Sequence, residues 1–381
     1  MMNKEVLKGG YAADELKRDL ISRIKSGALS PGEKLLSERK MAETYKISYM
    51  TVRRAIEELV EQGYITREPH RGSFVNEKFR NISATGGQTI AFISQTVYDG
   101  VFCELLTAIE KRARQNDYML LFCNSNMDPT LEKAWIEKIL HSNVAGVIIF
   151  PVQSEGNKAV VYKLINAGIP VVTIDNIYTD DGIDSVDCNN FDLAYRATEY
   201  LLQHGHTNIA HITVSRENFR QNYVAQQRME GFCKAMSDYN IQVMPGNIQH
   251  LPWEYTSLPM NEIELNNLGY EQAMKLLCRE NRPTAIFALF DEIAQGIYRA
   301  AHEMGINIPQ DLSVIGVNNT EFCNRLHPGL TTMAQPFKAI GIRAVDIIVL
   351  HNKFKEGKCL KDELPGFLIK RGSVANLNQT N

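Results

Sequence analysis

A chain of 381 residues with 44% hydrophobic and 22% charged side chains is longer than one typical domain and can bury a sizeable core, so two or three units are expected. No apolar run of about 18 residues occurs, and the opening MMNKEVLKGGYAADELKRDL has no apolar signal core, so no membrane span or secretory leader is read and a cytoplasmic protein is expected. The net charge of −3 is unevenly spread: residues 1–80 hold 16 Lys+Arg and 12 Asp+Glu, the rest 25 and 32, and this basic head on an acidic body points to nucleic acid at the head.

The head reads as helix, helix, turn, helix, hairpin. Leu16, Leu20, Ile21 and Ile24 form one stripe of a helix over 11–27, and Ser30-Pro31-Gly32-Glu33 makes a turn. Ser37 caps a short helix ending at Tyr45, because a serine hydroxyl accepts an otherwise unpartnered backbone N–H. From Ser48, the residues Val52, Ala55, Ile56, Leu59 and Val60 follow the helical period, and Gly63 ends the element. Runs 64–67 and 73–75 around Glu68-Pro69-His70-Arg71-Gly72 give a β-hairpin. Lys46-Ile47 joins the second and third helices tightly enough to cross them steeply, the geometry that lets one helix enter a major groove. The third helix then presents Ser48, Tyr49, Met50, Thr51, Arg53 and Arg54 away from its buried stripe, and the hairpin tip presents His70, Arg71 and Gly72. Arginine pairs bidentately with guanine, while hydroxyls suit phosphates. Solvated charge is the plainer reading of these side chains, and Glu57, Glu58 and Glu61 show that the helix is not uniformly basic.

Residues 79–88 are small and polar and read as a linker. Beyond it, apolar runs at 89–94, 118–123, 146–150, 170–174, 208–213, 284–289 and 313–317 alternate with helical stretches, with later strands near 330–334 and 366–370. Strands buried on both faces and alternating with helices imply parallel sheets in an α/β body, here of two lobes. The domains are therefore 1–78, a linker 79–88, and 89–381.

Seven scattered cysteines fit reduced, mostly buried thiols, and no metal-ligand spacing occurs, so no metal and no cofactor are expected. No GxGxxG after a strand, no phosphate loop and no GxSxG elbow is present. No catalytic residue is assigned, and a binding module is favoured over an enzyme or kinase carrying a DNA-binding head. A secreted receptor is disfavoured by the basic head and by the absence of an apolar signal core.

The run LSPGEKLLSERKMAETYKISYMTVRRAIEELVEQGYITREPHRGSFV resembles the gluconate-repressor (GntR) family of winged-helix regulators. The resemblance implies operator contacts from Arg39, Tyr49, Thr51, Arg53, His70, Arg71 and Gly72, beside Ser48 and Arg54 read from the helix face. Leu36 stands where the family has proline, and Tyr49 where it has a base-reading arginine. The runs YLLQHGHTNIAHIT, QQRMEGFCKAM, RPTAIFALFDEIAQGIYRAAHEMGINIPQDLSVIGVNNTEF and LTTMAQPFKAIG resemble the lactose/galactose-repressor (LacI/GalR) effector domain. That implies a two-lobed body of the type I periplasmic-binding-protein kind. Such a head on such a body is similar to the arabinose-repressor group of bacterial regulators. The resemblance implies a sequence-specific repressor that binds double-stranded operator DNA as a homodimer. Its effector would be a monosaccharide such as arabinose, and effector binding would release it from DNA. Effector contacts carried over are Asp175, Asn189, Arg228, Phe290, Asn318 and Phe337. Arg228 matches an arginine whose planar fork suits vicinal hydroxyls or a carboxylate. Asn318 stands where the family has a carboxylate, and Phe290 where it has a polar residue, so that stacking on a sugar's apolar face replaces a polar contact.

Overall fold

In the computed structural model the chain divides into two compact units, Met1–Thr89 and Ile90–Asn381. The structure describes residues 4–25, 28–69, 71–76, 88–97, 100–152, 156–175, 182–214, 222–251, 262–354 and 359–378. Residues 79–87 of the expected linker and His70 of the expected hairpin tip lie outside these.

The first unit begins with α1 (Lys4–Lys25), longer at its start than the apolar stripe indicates. Ser37 caps α2 (Glu38–Tyr45) by accepting from the Lys40 N–H, and Ser48 caps α3 (Tyr49–Glu61) by accepting from the Thr51 N–H. Gly63, with φ of 73°, follows α3 in the left-handed conformation that glycine adopts without steric cost. Val52, Ala55, Ile56 and Leu59 of α3 are buried against Leu16, Leu20 and Ile24 of α1, Met41 of α2 and the wing residues Ile65 and Val75. Each large apolar side chain so buried contributes about 1.5–3 kcal/mol. The wing is the antiparallel pair β1 (Ile65–Glu68) and β2 (Gly72–Val75), registered Ile65 to Val75 and Glu68 to Gly72.

The second unit holds two six-stranded sheets. The first lobe contains β3 (Thr89–Ser94), β4 (Met119–Asn124), β5 (Gly146–Ile149), β6 (Val171–Ile174), β7 (Asp184–Cys188) and β13 (Lys361–Leu364), ordered β4-β3-β5-β6-β7-β13. The second contains β8 (Ile209–Val214), β9 (Ile248–Leu251), β10 (Ala285–Ala288), β11 (Ser313–Val317), β12 (Thr331–Ala334) and β14 (Phe367–Ile369), ordered β9-β8-β10-β11-β12-β14. The β3/β5, β5/β6, β6/β7 and β7/β13 pairs are parallel, as are β8/β9, β8/β10, β10/β11 and β11/β12. β14 pairs antiparallel with β12 at one edge. The covering helices are α4 (Gly100–Gln115), α5 (Pro129–Leu140), α6 (Lys158–Asn166) and α11 (Phe337–Phe354) on the first lobe. Those of the second are α7 (Asn190–Gln203), α8 (Tyr223–Asp238), α9 (Glu262–Leu277) and α10 (Asp291–Glu303). The chain crosses between lobes three times: from Cys188 to Asn190, from Ala334 to Phe337, and from Leu364 to Phe367. The first and third crossings are joined, because the Asn189 N–H donates to the Leu364 carbonyl at 2.9 Å.

Helices α9 and α10 meet backbone to backbone at two glycines. A Cβ on Gly296 would stand 2.1 Å from the Asn266 carbonyl oxygen, and one on Gly269 would stand 2.4 Å from the Ile293 carbonyl oxygen. Neither obstacle is a flexible side chain, so the helices must part. Gly296→Ala is expected to destabilise the unit by about 1–3 kcal/mol. Urea denaturation of the variant measures this, and an unchanged midpoint would show that the helices separate freely.

Three strands were not anticipated. All five residues of β7, DSVDC, are buried although its composition is polar; edge strands β9 and β13 are partly exposed. None of the seven cysteines is in a disulfide, but the expected burial needs correcting: Cys123, Cys188 and Cys323 are buried, whereas Cys103, Cys233 and Cys278 are exposed. No described helix is long and apolar enough to cross a membrane, and no group of metal-binding side chains gathers among the described residues.

Candidate functional site

Two sites stand on the two units. On the first, the outer face of α3 and the wing border a groove of about 710 Å³ lined by Arg39, Tyr49, Arg67, Arg71 and Gly72 among others. Tyr49, 42% exposed, opens the helix. The Ser48 and Thr51 hydroxyls lie 2.7 Å apart at its N-terminus, where a helix dipole favours an anion. Arg53 donates to Glu57 at 3.1 Å and Arg54 to Glu58 at 3.0 Å, one helical turn on. Such exposed pairs are weak and salt-sensitive, so a phosphate competes with the carboxylates readily. Arg39 is exposed on α2. Arg71 pairs with Glu68 and lies 5.5 Å over the Phe74 ring, which stiffens the wing tip. Gly72 has φ of 115°, a conformation that side chains resist, and a Cβ there would meet the Lys34 side chain at 3.2 Å. Of the expected DNA-facing residues, Arg39, Tyr49, Arg71 and Gly72 line this groove, and Arg53 and Arg54 are exposed on α3.

On the second unit, the candidate cleft lies at the C-terminal ends of the strands, where open α/β sheets hold ligands. Asp175 follows β6 with φ of 59°, and Asn318 follows β11 with φ of 113°, so both strand ends turn through backbone that non-glycine residues rarely adopt. Arg228, on α8, is fully buried. Its Nε donates to Asn190 Oδ1 at 3.0 Å, its Nη1 donates to the Leu289 carbonyl at 2.7 Å, and its guanidinium lies 5.4 Å from the Phe290 ring centre. Burial lowers the Arg228 pKa, and Asp175, Cys188 and Asp187 act against that shift. Burial, reinforced by Asp175, pushes the Asp187 carboxyl well above its usual range. Asn318 accepts from Gln335 Nε2 at 2.8 Å, and its neighbour Asn319 accepts from Arg371 at 2.6 Å.

Two other expected contacts have structural roles in this geometry. Asn189 caps α7 and donates to Glu363 at 3.0 Å. Phe337 begins α11 and is buried in the core that runs through both lobes.

The sequence reading passed over several groups. Asn190 stands against Arg228 and Asp187 interacts with it electrostatically, and Thr213 Oγ1 and Gln335 Oε1 are buried polar atoms with no hydrogen-bond partner among the described residues. His211, stacked beside the Phe232 and Phe287 rings, donates from Nδ1 to the Phe287 carbonyl at 2.9 Å, and its Nε2 has no hydrogen-bond partner among the described residues. Burial pushes its pKa down to about 4, so the ring is neutral. A buried polar atom without a partner is uncommon. Thr213 and Gln335 lie at the C-terminal ends of β8 and β12, the same sheet edge as Asn318, while Asp175 stands at the C-terminal end of β6 in the other sheet.

A winged helix-turn-helix joined to a two-lobed parallel α/β body defines a transcription regulator, not an enzyme. Residues 12–75 match the family model described as bacterial regulatory proteins, gntR family, and residues 198–374 that of the periplasmic binding protein-like domain. The chain is 30% identical over 302 residues to the HTH-type transcriptional repressor PurR of Actinobacillus pleuropneumoniae, covering 79% of this chain and 85% of the relative. It is 27% identical over 340 residues to the arabinose metabolism transcriptional repressor of Geobacillus stearothermophilus, covering 88% and 89%. The solved structure of a LacI family transcriptional regulator from Enterococcus faecium with bound ribose superposes with TM-score 0.63 at 28% identity, covering 76% of this chain and 99% of that one. The chain belongs to the LacI-type bacterial transcriptional repressors, with a gntR-type head.

Proposed function

We propose that the chain is a cytoplasmic, homodimeric repressor of carbohydrate-utilisation genes, released from its operator when a monosaccharide such as arabinose enters the cleft. The observation that carries the effector reading is Arg228, a buried guanidinium 5.4 Å from the Phe290 ring and in electrostatic reach of Asp175. A planar donor fork beside an aromatic ring and acceptor groups suits the hydroxyl edge and apolar face of a sugar. Thr213 Oγ1 and Gln335 Oε1, without a partner among the described residues, add two polar atoms for further hydroxyls. The arabinose name of one relative and the ribose held by one structural neighbour support the same class of ligand. In a dimer, two heads reach half-sites about one DNA turn apart, roughly 34 Å. Each head engages DNA through Arg39, Ser48, Tyr49, Thr51, Arg53 and Arg54 of the helices and His70, Arg71 and Gly72 of the wing. Sugar closes the lobes and releases DNA only to the extent that it binds the released form more tightly.

Calorimetry against arabinose, ribose, xylose and galactose tests the effector. One sugar is expected to bind, and Arg228→Ala is expected to weaken it roughly 10- to 100-fold, the range for a hydrogen bond to a charged group. If no sugar binds, or if the variant binds as wild type does, the effector reading fails. A gel-shift titration with that sugar tests the sign, since tighter operator binding would make the sugar a co-repressor.

A further inference from the structure

We infer that Asn190 is the positioning residue of the effector site: its side chain fixes the Arg228 fork and ties it to strand β7 of the opposite lobe. The inference rests on Arg228 as an effector contact. Asn190 is the first residue of α7, immediately after the first crossing between the lobes, and it is buried. Its carboxamide is used at both ends. Oδ1 accepts from Arg228 Nε at 3.0 Å. Nδ2 donates to the Cys188 carbonyl at 3.0 Å and faces Asp187 Oδ1 at 3.3 Å. These partners set the amide orientation, because only its oxygen can accept from a guanidinium and only its nitrogen can donate to a carbonyl.

Two consequences follow from the geometry. The Nε bond to Asn190 and the Nη1 bond to the Leu289 carbonyl hold two donors of the guanidinium plane, so the fork cannot turn about its stem. The chain Arg228, Asn190, Asp187 also runs from α8 of one lobe to β7 of the other. A ligand that pulls on Arg228 therefore acts on the first crossing itself. Asn190 differs in this from Asn189, whose side chain caps α7 and reaches Glu363.

Three variants of the full-length protein separate the two ends of the amide. Asn190→Leu keeps the volume and removes both bonds; Asn190→Asp keeps an acceptor for Arg228 and removes the donor to the Cys188 carbonyl; Asn190→Ser is the smaller substitute if leucine prevents folding. In ¹⁵N-arginine-labelled protein without sugar, the Arg228 Nε–H resonance should exchange slowly in wild type and Asn190→Asp and rapidly in Asn190→Leu or Asn190→Ser. Slow exchange in both of the latter overturns the proposal.

With the sugar that binds best among arabinose, ribose, xylose and galactose, Asn190→Leu should lose roughly 10- to 100-fold in affinity. Asn190→Asp should keep its affinity within a few-fold. It should lose most of the sugar's effect on binding to a duplex selected from a random pool by the wild-type chain. Full sugar affinity in Asn190→Leu while Arg228→Ala has lost it, or a full sugar effect on DNA in Asn190→Asp, contradicts the assignment. Arg228→Ala retaining sugar would instead remove the effector reading, and the exchange measurement would still decide whether Asn190 holds the arginine.

Discussion

Asp291→Ala is expected to lower the stability of the effector unit by roughly 3–5 kcal/mol, among the largest effects of any single substitution in the chain. Asp291 opens α10 and is fully buried. Its Oδ2 accepts from the Thr320 N–H at 2.9 Å, the Thr320 hydroxyl at 3.2 Å and Cys323 Sγ at 3.2 Å, and its Oδ1 accepts from the Thr332 hydroxyl at 2.7 Å. Alanine leaves these donors buried without an acceptor, and each such donor costs about 1–3 kcal/mol. The carboxylate joins α10 to Thr320, at the start of the turn Glu321–Asn324, and to β12, so its loss loosens the turn that follows Asn318.

Asp291 also gives a pH test with a definite sign. Burial raises its pKa from 3.8 to about 6. The native state therefore holds the proton more tightly than the unfolded chain, and this group's contribution to stability falls as pH rises from about 4 to about 6. His206 and His211, both pushed down by burial to about 4, act oppositely and stabilise as pH rises over nearly the same window. Asp291→Asn removes the falling contribution and leaves the rising ones. The stability difference between wild type and Asp291→Asn should therefore shrink between pH 4 and pH 6, by an amount on the order of 3 kcal/mol. Urea titrations at several pH values measure it; a constant difference would mean that the folded carboxyl titrates as the unfolded one does.

The head was legible because its signals are local. Ser37 and Ser48 lie within four residues of the N–H groups they cap, and the stripe Val52, Ala55, Ile56, Leu59 is a single helical face. Apolar strands such as TIAFIS and SVIGV were legible for the same reason, being buried on both faces. Strand β7 was not. Its Asp184 is buried because it pairs with His351 at 2.7 Å and accepts from the Leu360 N–H at 2.6 Å, contacts about 170 residues away along the chain. A polar strand made tolerable by distant partners has no hydrophobic period to read. The cleft divides in the same way. Arg228, Asp175, Phe290 and Asn318 were named as candidates through motif resemblance. Asn190, which stands against Arg228 from 38 residues upstream, and the buried Thr213 Oγ1 and Gln335 Oε1, without a partner among the described residues, carry no sequence signal, because their roles depend on what the fold brings beside them.

Tyr49→Arg is expected to change which operator the protein prefers. Tyr49 is the first residue of α3, at the end that enters the groove in winged-helix readers. A phenol has one hydroxyl and cannot form the two parallel bonds with which an arginine fork reads guanine O6 and N7. With arginine at 49, duplexes selected from a random pool should acquire a guanine in each half-site. Replacing that guanine should cost the variant about 1–3 kcal/mol per half-site while the wild type is nearly indifferent there. A charge acting only on phosphates would give a different result: affinity rising equally on all sequences, with a steeper salt dependence. The two outcomes separate base reading from general attraction. Uniform tightening would place residue 49 against the backbone and leave Arg39, Arg53 and Arg54 as the candidates for base contact.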